Sequence, residues 1–124
     1  TFSCVRARTF AAQKEPYKPI CEVDPPPTMF PFTQVAGTMV GFRPPVFAKD
    51  ASGSGVHLHF LRRDKSAGGH VLDLVVDRAT VTVDRVAGLA LDLPTDAAFA
   101  TMDLSKPADC PPPPPPVECP PDQP

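Results

Sequence analysis

All three histidines of the chain lie close together, as His57-Leu58-His59 and His70. Neutral imidazole is the commonest side-chain metal ligand and also a general acid–base near neutral pH. In a β-strand, residues two apart project from one face, so His57 and His59 point together while Leu58 and Phe60 turn to the other side. If residues 56–61 and 69–73 form a hairpin closed by Arg63-Asp64-Lys65-Ser66, His59 falls opposite His70. Directly opposed residues have Cβ atoms about 5 Å apart. Three imidazoles then converge on one point and leave coordination positions for water or substrate, the ligand set of an open, catalytic zinc site. Imidazole alone does not choose among Zn, Fe, Mn, Ni and Cu. The competing reading is a group of surface or half-buried histidines that holds nothing, and a lone His-x-His would not displace it. The third histidine, within hairpin reach and preceded by Gly68-Gly69, tips the balance towards a metal.

Those histidines need a sheet to hold them, and the pattern supplies one. Residues 1–10 alternate Phe2, Cys4, Arg6, Arg8 and Phe10 against Ser3, Val5, Ala7 and Thr9, which predicts a strand. One of its faces carries two arginines among phenylalanines, an unusual composition for a plain core face. Residues 13–31, rich in proline and charge, read as a loop. Residues 35–42 (VAGTMVGF) read as a strand ended by Pro44-Pro45. After the turn-forming ASGSG of residues 51–55, residues 56–61 form the histidine strand. Residues 70–86 are β-rich with a break near Arg78-Ala79, and residues 89–93 read as another strand. Residues 95–102 suit a short helix with Thr95 or Asp96 as its N-cap. The expected fold is α+β, a predominantly antiparallel or mixed β-sheet with one or two short helices. It occupies a β-rich domain over residues 1–109, followed by a proline-rich tail over 110–124. Six consecutive prolines, Pro111 to Pro116, impose polyproline II there, suited to a stiff spacer or to a groove that reads such helices.

Composition narrows the partners. A length of 124 residues allows one domain. The net charge is −2 and the basic residues are scattered, which argues against nucleic acid. No apolar run is long enough to span a membrane, and no apolar leader is visible near Thr1. A cytoplasmic location is therefore expected, with secretion as the alternative. Because Thr1 already stands in strand-like sequence, the chain is expected to be a piece of something longer. Cys4, Cys21, Cys110 and Cys119 form no C-x-x-C pair, so neither a zinc ribbon nor a thioredoxin-like site is indicated. Cys110 and Cys119, which flank the proline tract, read as free thiols, with a bridge between them as the alternative.

The stretches Gly55-Val56-His57-Leu58-His59-Phe60-Leu61 and Ala67-Gly68-Gly69-His70-Val71-Leu72-Asp73 together resemble the signature of acetolactate decarboxylases. Thr1-Phe2-Ser3, Val5, Arg8-Thr9 and Glu15-Pro16-Tyr17 are similar to the family's segment around its active-site arginine. Gly37-Thr38 with Val40-Gly41-Phe42-Arg43 resembles the strand before the metal loop. Leu93-Pro94, Asp96, Phe99 and Asp103-Leu104 resemble its closing segment. The resemblance covers residues 1–109.

It implies an enzyme that converts 2-acetolactate to acetoin and carbon dioxide, using Zn2+ bound by three histidines and carboxylate oxygens and no organic cofactor. His57, His59 and His70 match the histidine ligands, and Arg8 matches the active-site arginine, while Arg6 keeps the reading of a surface residue. The small molecule 2-acetolactate is the implied partner, and a homodimer is the implied assembly. The implied chemistry is Lewis-acid stabilisation of an enediolate, an arginine fork on the carboxylate or oxyanion, and protonation of one face by a carboxylic acid.

Two departures from the family pattern stand out. Family members are roughly twice this length, as two-domain chains are, and their N-terminal half carries a carboxylate that reaches the metal region. They also end in a glutamate-rich helix where this chain has its proline tract. Glu118 is the tail residue that corresponds to the family's glutamate, as ligand or proton donor. Its alternative is a solvated tail carboxylate, because a proline rod cannot form that helix. If those carboxylates are missing, the remaining reading is a metal-binding β domain without decarboxylase activity.

Overall fold

The computed structural model describes residues 1–15, 18, 20–48, 55–101, 103 and 105. Five strands form one antiparallel sheet: β1 (Phe2–Thr9), β2 (Thr28–Val35), β3 (Gly37–Phe42), β4 (His57–Arg62) and β5 (Gly68–Val76), in the order β2-β1-β5-β4-β3. Short 3-10 turns occupy Ile20–Glu22 and Val46–Ala48. One helical turn, α1 (Ala97–Ala100), has Asp96 as N-cap, its carboxylate accepting the Phe99 N–H at 2.8 Å. The expected class of fold is therefore what the chain adopts. The proline-rich tail, with Glu118, Cys110 and Cys119, lies outside the described residues.

The sheet cannot be flat. Its two outer strands, β2 and β3, are joined by Ala36 alone. Two Cα steps span at most about 7.6 Å, whereas the outer strands of a flat five-stranded sheet stand about 19 Å apart. The sheet therefore curls until its edges meet at that end, a partly closed barrel. Gln34 turns the chain there with a left-handed backbone, φ 47°. The Ala36 carbonyl also accepts the Arg63 N–H at 3.0 Å, tying the seam to the β4–β5 turn.

Inside the curl lies the core of Phe2, Val5, Val35 and Phe60, packed against Phe32, Met39, Val71 and Leu74. Phe32 on β2 and Phe60 on β4 are separated by two strands, yet their ring centroids are 5.5 Å apart. Phe2 meets Phe60 edge to face at 5.7 Å. Each fully buried side chain of this size contributes roughly 1.5–3 kcal/mol. The alternation places Val40, Phe42 and Leu61 on the outer face, where they are exposed.

Three sequence expectations are revised. The predicted strand over 35–42 is two strands on opposite edges of the sheet, with Val35 ending β2 and Gly37 opening β3. Residues 28–31, read as loop, belong to β2, where Pro31 is tolerated because β2 is an edge strand. Residues 79–86 and 89–93, read as strands, form neither strand nor helix and do not join the sheet. Cys4, 2 % exposed, is disulfide-bonded.

Candidate metal centre

The hairpin expected around the histidines is present. β4 and β5 pair as His59↔His70, Phe60↔Gly69 and Leu61↔Gly68. The four-residue turn 63–66 closes between Arg62 N–H and Ala67 carbonyl at 2.9 Å. Within it Lys65 takes a left-handed φ of 59° and Asp64 accepts the Ser66 N–H at 3.0 Å. Local turn chemistry thus fixes the register, and the register fixes which histidine faces which.

The donors converge. One ring nitrogen from each of His57, His59 and His70 lies within 4.8 Å of the others. The Nε2 atoms of His57 and His59 are 3.1 Å apart. Those two rings stack at 5.2 Å, and both stand edge-on to the His70 ring, at 4.7 and 5.4 Å between centroids. A tetrahedral zinc bound at about 2.0–2.1 Å requires donor separations of about 3.4 Å, inside this range. An all-imidazole set of this spacing could hold a borderline metal ion such as zinc, with the remaining positions open to the outside.

The surroundings favour the ligand form. The His70 imidazole is held below its usual pKa, first by partial burial and then by the positive fields of His57, Arg8 and His59. That leaves the ring neutral near pH 7, the form that binds metal. Phe42, paired with His57 across β3 and β4, stacks on its ring at 5.4 Å.

Arg8 joins this site through the sheet. One row crosses all five strands on the outer face: Met29, Arg8, His70, His59 and Val40. Arg8 is thus the cross-strand neighbour of His70, its guanidinium carbon 5.2 Å from the Phe10 ring centre and its Nε buried without a hydrogen-bond acceptor. Gly69 permits this approach. A Cβ there would stand 2.7 Å from the Arg8 carbonyl oxygen. Gly69→Ala is expected to push β1 off β5 at an overpacking cost of about 1–3 kcal/mol. The thermal midpoint would then fall by at least about 4 °C; an unchanged melting curve would contradict the tight β1–β5 approach.

The reading of Arg6 as a surface residue is corrected. Arg6 is 5 % exposed, and its Nε lies 3.8 Å from Asp73 Oδ2. A β-bulge brings this about: the β1–β5 register skips Leu72, so Asp73 shares the outer face with His70. Alternation in β1 had already placed Arg6 beside Arg8, but the bulge that supplies its partner is invisible to a period of two. A hollow of about 500 Å³ at the seam, lined in part by Phe32, Val35, Ala36 and Arg63, contains none of the three histidines. The site is placed by the donor set instead, because an open convex face forms no enclosed cavity.

Fold and site together define a class: a curled antiparallel β domain bearing an open three-histidine centre with an adjacent arginine. Comparison with known proteins agrees. Residues 1–106 match the family model described as alpha-acetolactate decarboxylase, and the chain belongs to that family. It is 39% identical to the alpha-acetolactate decarboxylase of Bacillus subtilis strain 168, over 86% of this chain and 42% of that one. It is 36% identical to the one of Methanosarcina mazei, over 85% of this chain and 36% of that one. The crystal structure of the Bacillus subtilis protein superposes with a TM-score of 0.79 at 39% identity, covering 86% of this chain and 45% of that chain. The Staphylococcus aureus structure described as similar to alpha-acetolactate decarboxylase gives a TM-score of 0.58 at 30% identity. The chain spans about two-fifths of the length of these curated relatives.

Proposed function

We propose that this chain carries the metal-binding part of a decarboxylase site that converts 2-acetolactate to acetoin and carbon dioxide, with Zn2+ held by His57, His59 and His70. The observation that carries this reading is the convergence of three imidazole nitrogens within 4.8 Å, beside Arg8, in a member of this family. Bound there, a zinc ion supplies Lewis-acid stabilisation of the negative charge that builds up as carbon dioxide leaves.

The chain's own residues supply the rest. Arg8 offers a planar fork of N–H donors one strand from His70, with Nε still without an acceptor, and binds the substrate carboxylate. Aliphatic and aromatic side chains around the histidines, Val40 and Phe42 among them, present the substrate's methyl groups with apolar surface. Glu118 is the proposed proton donor to the carbon that loses carbon dioxide.

The test is acetoin formation from racemic 2-acetolactate by the purified chain, with its metal content measured in parallel. The reading expects activity that is lost on chelation and in His59→Ala, and a kcat/KM about 10²–10³-fold lower in Arg8→Ala. One zinc per chain with no acetoin would leave a metal-binding β domain and sink the decarboxylase reading for this chain.

A further inference from the structure

Two guanidinium groups stand two residues apart on one face of β1. Arg6 and Arg8 alternate with the buried Val5 and Ala7, so both project to the outer face, their Cα atoms about 6.6–6.8 Å apart along the strand. Arg8 is opposite His70, and Arg6 is opposite Asp73, which the β5 bulge turns to the same side. Arg6 is 5 % exposed, and its Nε and Nη1 are buried with no hydrogen-bond acceptor among the described residues. Asp73 Oδ2, 3.8 Å from that Nε, is within ion-pair range but beyond hydrogen-bond reach. Its other oxygen, Oδ1, already accepts the Leu74 N–H at 2.9 Å. Arg8 Nε is likewise buried and without an acceptor.

An arginine keeps its charge at any ordinary pH, so burial cannot neutralise Arg6. A buried charge is costly unless it is both paired and hydrogen-bonded. Among the described residues, one carboxylate answers two fixed positive charges here, and three buried guanidinium nitrogens lack an acceptor. We propose that Arg6 and Arg8 form a two-arginine anion site on β1, in which Arg6 is a second, specificity-determining contact for the carboxylate of a small 2-hydroxy acid bound at the histidines. One surplus positive charge matches one carboxylate, and two planar forks can hold both of its oxygens. The acid approaches from the histidine side, where Arg8, His70 and Asp73 are only half-buried. A neutral product that has lost its carboxylate gains nothing from either fork, so the pair favours the acid over that product. The identity of the acid rests on the decarboxylase reading; the anion site does not.

The probe is 2-hydroxy-2-methylpropanoate, which carries a carboxylate, a hydroxyl and methyl groups but no ketone. Titration calorimetry is run on the full chain without zinc, so that no metal contributes affinity for the anion. The expected result is binding weakened at least about 10-fold in Arg6→Met and in Arg8→Met, whereas the uncharged 2-hydroxy-2-methylpropanamide gives the same signal with wild type and Arg6→Met. Asp73→Asn, which removes the competing carboxylate, is expected to bind the acid about 3-fold more tightly. A merely structural Arg6–Asp73 ion pair predicts no such gain, and this variant decides the question if Arg6→Met does not fold. No acid binding by wild type, wild-type affinity in Arg6→Met, or no gain in Asp73→Asn would each overturn the proposal. Acid binding that depends on Arg6, in a chain that forms no acetoin when loaded with zinc, would remove the decarboxylase reading and leave the anion site standing.

Discussion

His70→Ala is expected to weaken zinc binding by at least about 100-fold. Losing even an outer-shell partner of a ligand costs about 10–100-fold in affinity, and His70 is one of the three donors proposed for the zinc, with no fourth His, Cys, Asp or Glu in the cluster among the described residues. The substitution removes a half-buried ring on β5 while leaving its strand pairing with Arg8 and His59 intact. Competition against a chromophoric zinc chelator measures the change directly, and circular dichroism checks that the strands persist. Wild-type affinity in a folded His70→Ala variant would mean that the zinc sits elsewhere.

Phe60→Ala carries the largest expected stability effect, about 3–5 kcal/mol. Phe60 is 3 % exposed, and its ring touches those of Phe2 and Phe32, so it joins β4 to β1 and β2 through the interior of the curl. A domain of ordinary stability holds only about 5–15 kcal/mol in total, so this loss removes about a fifth or more of it. The same substitution at neighbouring Leu61, 46 % exposed on the outer face, is expected to cost far less. Paired thermal melts of the two variants test the assignment of faces. Equal losses would mean that the curled interior is not where the stability resides.

The histidine hairpin was legible because everything that determines it is local. A four-residue turn sets the register, and a period of two then sets the face. The closing cap was legible as Thr95 or Asp96 for the same reason, and the structure selects Asp96. What the sequence pattern could not carry was long-range. Alternation through residues 35–42 looks like one strand, and nothing local reveals that the chain crosses from one sheet edge to the other at Ala36. Arg6 looked solvated because a bulge on a different strand supplies its carboxylate, Asp73. The strands expected at 79–86 and 89–93 have the right residues and, among the described residues, no partner strand, since a strand pattern announces an apolar face without naming what covers it. The resemblance to the family was legible over residues 1–109, and within it the stretches 55–61 and 67–73 carry the histidines and the turn between them.

X-ray absorption at the zinc edge of the zinc-loaded chain tests the central claim most directly. The account predicts one zinc per chain with three imidazole nitrogens at about 2.0–2.1 Å, completed by oxygen, and loss of one imidazole contribution in His59→Ala. A first shell containing sulfur, or one with the same imidazole count in wild type and His59→Ala, would contradict it.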